Sequence, residues 1–186
     1  MRIAPILLVF ALSGAWHPTA AQVDDLATAR ATLREGDLAA AAAAIDRHLV
    51  AKPGDERGRF LKGVILSEQG RTNEAFEVFF ALTQDHPELA EPYNNIAVIY
   101  ASRGEYDRAR EALESAIRAN PEYAVAYANL GDVHARLAAR AYEKALGLDA
   151  GNRTLRAKLA LARELPVATP KRPAADPPAG PAGAPR

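Results

Sequence analysis

Apolar residues along this chain keep helical spacing, and the pattern is clearest between Ala90 and Tyr123. There Tyr93, Ile96, Ala97 and Tyr100 stand at i, i+3, i+4 and i+7, one face of a helix. Gly104 interrupts that run, and Tyr106, Ala109, Leu113, Ala116 and Ile117 mark the buried face of a second helix. Asn120-Pro121 closes the unit and opens the next: asparagine is expected as N-cap and proline in the first turn, where its missing N–H does no harm. The same arrangement recurs every 34 residues, with Pro53, Pro87 and Pro121, then Gly36, Gly70 and Gly104, then Ala41, Ala75 and Ala109 in step. A self-similarity of that length predicts stacked helix-turn-helix units sharing one core. The units fall at Gln22–Asp55, Glu56–Leu89 and Ala90–Tyr123, followed by a shortened one at 124–150 and a last helix at 152–165.

The copies differ in informative ways. In the second unit the corresponding positions hold Arg59, Lys62, Gly63, Leu66, Ala75, Phe79, Leu82 and Pro87, so the small and aromatic places agree while the first two are basic. The first unit holds Ala29, Ala41, Ile45, His48 and Pro53, with a run of alanine from Ala39 to Ala44 that favours helix on propensity alone. In the fourth, Tyr127, Leu130, Gly131 and His134 follow the pattern, but Tyr142, Ala145 and Leu146 arrive five residues early. Nothing between Asp132 and Gly147 is Gly, Pro, Asn or Asp, so no turn is signalled. Tyr127, Leu130, His134, Leu137, Ala141, Ala145 and Leu148 then form one expected buried stripe, which predicts a single helix over Ala124–Leu148. After a turn at 149–152, Leu155, Leu159 and Ala162 predict a capping helix that covers the end of that stripe, with Arg153, Arg156, Lys158 and Arg163 outward.

Both ends lie outside the repeats. Arg2, the apolar run Ile3 to Leu12 and the small residues Thr19-Ala20-Ala21 read as a secretory signal peptide over residues 1–21, too short to span a bilayer that needs about 20 apolar residues. Export to the periplasm or beyond is the expectation. From Pro166 to Arg186, seven of the residues are proline, and such a tail buries too little apolar surface to order itself. The net charge is +0 and no basic cluster exists, which argues against a nucleic-acid partner. Cysteine is absent, which excludes disulfides and thiol catalysis. The four histidines are scattered with no metal-ligand spacing, and no glycine-rich phosphate loop or nucleophile triad is present, so neither an enzyme nor a cofactor or small-molecule substrate is expected.

Taken with its spacing, the set Tyr93, Ile96, Ala97, Tyr100, Ala109, Leu113, Ala116 and Pro121 resembles a tetratricopeptide repeat. The resemblance implies an all-α, right-handed superhelical solenoid of helix-turn-helix repeats with a C-terminal capping helix. It also implies that a protein or peptide partner lies in the concave face lined by the first helix of each repeat. The repeat frame places Arg30 and Arg34, Phe60 and Val64, Asn94 and Val98 with Ala101, and Asp132 on that face. Phe60, Val64 and Val98 would receive an apolar side chain, while Asn94 and Asn95 would bond an extended backbone through their amides. Asn94 is expected to project away from the packed face, so its loss should matter little to the fold. Some members of the family grip a C-terminal carboxylate with lysine, arginine and asparagine; here only Asn95 falls at a matching place, which argues against that mode. The expected role is a non-enzymatic interaction module or scaffold of the bacterial cell envelope. A structural subunit that self-associates, or is occluded by its own tail, is the alternative.

Overall fold

The computed structural model describes residues 24–164, and the signal-peptide and proline-rich segments lie outside them. Eight helices follow one another among the described residues: α1 (Asp25–Glu35), α2 (Leu38–Ala51), α3 (Glu56–Glu68), α4 (Thr72–Asp85), α5 (Ala90–Ser102), α6 (Tyr106–Ala119), α7 (Ala124–Leu148) and α8 (Arg153–Glu164). Local chemistry starts the early ones. The carboxylates of Asp24, Asp37 and Asp55 accept from backbone N–H groups in the first turns of α1, α2 and α3, each satisfying a donor that has no partner within the helix.

The first helix of each repeat ends on a glycine at positive φ: 85° at Gly36 and 74° at both Gly70 and Gly104. That backbone turns the chain back on itself. The next residue's N–H then returns to the carbonyl five positions earlier, Asp37 to Thr32, Arg71 to Leu66 and Glu105 to Tyr100. The two helices of a repeat meet through small residues: Ala29, Ala41, Ala75, Ala97 and Ala109 are all at most 1% exposed. At Gly63 the approach is closest, because a Cβ there would stand 2.6 Å from the Phe79 ring. Successive repeats share a core running from Ala29 through Phe79 and Leu82 to Ile99, and a second around Ala97, Leu113 and Val133. The result is an all-α solenoid, each helix packing mainly on its sequence neighbours.

Asn120-Pro121 behaves differently from the expectation. Asn120 ends α6 as its C-cap, α7 begins only at Ala124, and the Asn120 Oδ1 accepts from Glu122 N at 3.0 Å. The pair therefore forms the inter-repeat turn and does not cap the next helix. Asn152 does cap: its Oδ1 accepts from Leu155 N at 3.0 Å, two residues into α8.

α7 is one helix of 25 residues, and Ala138 stands where the earlier repeats have their positive-φ glycine. Arg140 fixes its far half to the preceding repeat, donating to the Gly104 carbonyl at 2.6 Å and lying 4.6 Å over the Tyr106 ring. The buried face, however, is not the expected stripe. Ala126, Val133 and Ala139 are buried and Leu130 and Leu137 partly so, whereas Tyr127 is 50% and Leu148 86% exposed, and His134 and Ala141 are exposed as well. Because the helix does not fold back, the face that would meet a second helix of its own repeat has nothing against it. α8 covers Ala139, Tyr142 and Leu146 with Leu159 and Ala162, leaving Ala141 and Leu148 outside its reach.

Candidate functional site

One face of α5 carries Glu91, Asn94, Val98 and Ala101, at i, i+3, i+7 and i+10. α7 crosses beside it, supplying Asn129, Asp132, Val133 and Arg136, and α6 forms the floor with Tyr106 and Leu113. Between them lies a cleft with about 100 Å³ of open space, lined almost wholly by apolar surface. A cavity of roughly 150 Å³ takes a benzene ring. This cleft is therefore sized for one aliphatic side chain. Asn129 closes one end, its Nδ2 donating to Asn94 Oδ1 at 2.7 Å, which ties α7 to α5. At the rim the Arg136 guanidinium makes no ion pair or hydrogen bond with another described residue.

The structure sorts the residues that the repeat frame nominated. Val98 and Asp132 line the cleft together with Ala101. Asn94 is buried to 6% exposure, and its side-chain oxygen is already engaged by Asn129, so it belongs to the support of the cleft and not to a free surface. The expectation that its loss leaves the fold untouched is corrected accordingly. Asn95 is buried too, and its amide donates back to the Glu91 carbonyl at 2.9 Å, leaving it no reach toward an extended backbone. Phe60 and Val64 are core residues, 4% and 1% exposed, with the Phe60 ring 5.6 Å from that of Phe79. They pack helix on helix and cannot receive a partner's side chain in this arrangement. Arg30, half-buried, and Arg34, exposed, both lie on α1, at the far end of the solenoid from the cleft. Sequence reasoning passed over Asn129 and Arg136, although the 34-residue period sets them in register with Asn95 and Ser102.

Above the cleft, at the start of α5, Glu91 is buried at 8% exposure. Desolvation holds its carboxyl above the usual carboxylate range. Its neighbour Tyr123 is pushed up to about 12, first by burial and then by the Glu91 charge. Among the described residues no three of His, Cys, Asp and Glu converge as a metal site, and no helix is long and apolar enough to cross a membrane.

A tetratricopeptide repeat model matches residues 26–90, and a TPR repeat model matches residues 98–137. The chain belongs to the tetratricopeptide repeat family. Proteins of this family are typically protein–protein interaction modules. The chain is 34% identical to the Hsp70-Hsp90 organizing protein of Triticum aestivum over 116 residues, which is 60% of this chain and 20% of that relative, so it spans about a fifth of the relative's length. Two crystal structures of MamA resemble it at TM-scores of 0.55 and 0.54, both at 26% identity; the first match covers 75% of this chain and 79% of that one, the second 73% and 82%. A structure of Naa15/Naa10 bound to HypK-THB shares the fold alone, at 19% identity and a TM-score of 0.53 over 74% of this chain and 22% of that one.

Proposed function

We propose that this tetratricopeptide solenoid is a non-enzymatic scaffold that holds a protein partner through the cleft between α5 and α7. The observation that carries the reading is the cleft itself, an apolar opening flanked by a guanidinium with no described partner and by the Asp132 carboxylate. An extended segment with one aliphatic side chain seated against Val98 and Ala101, and an acidic group toward Arg136, matches it in shape and charge. The family match supports a protein partner. The apolar run Ile3 to Leu12 supports delivery to the bacterial envelope, and the N-terminal sequence of the natively expressed protein tests that part.

Selection from a random peptide library tests the cleft. Peptides enriched on the wild-type chain should share an aliphatic residue near an acidic one. They should lose at least about tenfold in affinity to Val98→Glu, because a carboxylate would be desolvated in an apolar opening. A control change at Val50, 86% exposed on α2, should leave binding unchanged. Peptides that bind wild type and a folded Val98→Glu equally well would move the site elsewhere.

A further inference from the structure

α7 leaves a long face unpartnered, and its composition says what fits there. At 3.6 residues per turn, Ala124, Tyr127, Gly131, His134, Ala138, Tyr142 and Ala145 fall within about 80° of one another around the helix. The ionised side chains of α7, from Asp132 to Lys144, project from the other half, roughly 120° or more away. The first four residues of the face are exposed, and nothing lies within 4 Å of a Cβ built at Gly131. This side is opposite the cleft, whose α7 residues are Asn129, Asp132, Val133 and Arg136.

The same residues are the two halves of a repeat. In the second repeat Gly63 of the first helix receives the Phe79 ring of the second, and Ala75 beside it is fully buried. Shifted by 34 residues in the first half, and by 34 less the missing five in the second, those positions become Gly131, Ala138 and Tyr142. The fourth repeat thus keeps the small and aromatic residues for helix-on-helix packing, but on one unbroken helix that cannot fold back. A second copy running antiparallel would bring its Ala138 and Tyr142 onto Gly131 and receive the reverse, completing both repeats at once. The packing mode is the one already used by α1 with α2, α3 with α4 and α5 with α6.

We propose that α7 pairs antiparallel with the α7 of a second copy of this chain, about a two-fold axis near residues 135 and 136. Each copy then supplies the second half of the other's fourth repeat. The contact is isologous and closes at two chains. With no ionised residue on the face, the two identical surfaces meet without like-charge repulsion.

Because the chain has no cysteine, single substitutions read the geometry directly. In the full chain, Ala135→Cys stands near the axis, within the roughly 4.4–6.8 Å Cα separation that a disulfide needs. It should oxidise to a covalent dimer. Ala124→Cys and Ala145→Cys should each fail to link to themselves, being roughly 30 Å or more from their own copies at 1.5 Å per residue. Mixed in equal amounts, the two should link to each other. Light scattering should give twice the 19.9 kDa chain mass for wild type and the single chain mass for Gly131→Arg, with unchanged circular dichroism. Four results would overturn the proposal. They are a monomeric wild type at about 100 μM, self-linking at both Ala124→Cys and Ala145→Cys as in a parallel pair, failure of their mixture to link, and a dimer that survives Gly131→Arg. Occupation of the face by another protein or by residues 166–186 would appear as the first of these.

Discussion

Gly63 shows how a single position can decide the packing of a repeat. An alanine Cβ there would come within 2.6 Å of Phe79, a ring with no exposure and no room to withdraw. Overpacking of that kind typically costs about 1–3 kcal/mol, against roughly 1 kcal/mol of helix propensity that alanine brings. Gly63→Ala should therefore lower stability by about 1–2 kcal/mol in a urea melt, even though it replaces a mid-helix glycine. Glu91 makes the opposite kind of demand. Its buried carboxyl holds a proton more tightly in the folded chain than in the unfolded one, so the folded state binds more protons above the ordinary carboxylate pKa. Stability then falls as pH rises from that value through the raised one and levels off beyond it. Glu91→Gln removes the titration. It should be more stable than wild type at pH 7, with the gap closing toward pH 4; a gap that is constant with pH would contradict this account of the site.

Among the elements, α7 is the most informative. The missing turn was legible in the sequence because no residue between Asp132 and Gly147 can end a helix, and the structure runs unbroken from Ala124 to Leu148. Proline at Ala139 should accordingly cost about 3 kcal/mol or more, by removing a hydrogen bond and clashing with the preceding turn. A melting temperature equal to wild type would mean that a break already exists there. Which side of α7 is buried was not legible. A helical stripe records which residues share a face, but the side that finds a partner depends on the neighbouring helix, and here the fold-back helix of the same repeat is missing. Phe60 and Val64 show the same limit, since counting within the repeat placed them on the concave face while the actual approach of α3 to α4 sealed them in the core. Val98 and Asp132 were found because the third repeat, where the small residues and the aromatics are most regular, keeps its expected geometry.

Taken whole, the molecule is a row of three complete repeats closed by an unusual fourth and a short capping helix. It places one cleft between α5 and α7 on one side and an uncharged helix face on the other. The two surfaces lie on opposite sides of α7, so a scaffold paired through one keeps the other open. That the cleft holds the partner is the central claim, and site-specific photo-crosslinking in the native source tests it most directly. A photoreactive side chain at Ala101, inside the cleft, should trap a discrete partner segment that mass spectrometry can sequence, and Val98→Glu should abolish the trapping. The same group at Val50 should trap nothing in common with it. Crosslinks that form equally from both positions, or from Val50 alone, would contradict the account.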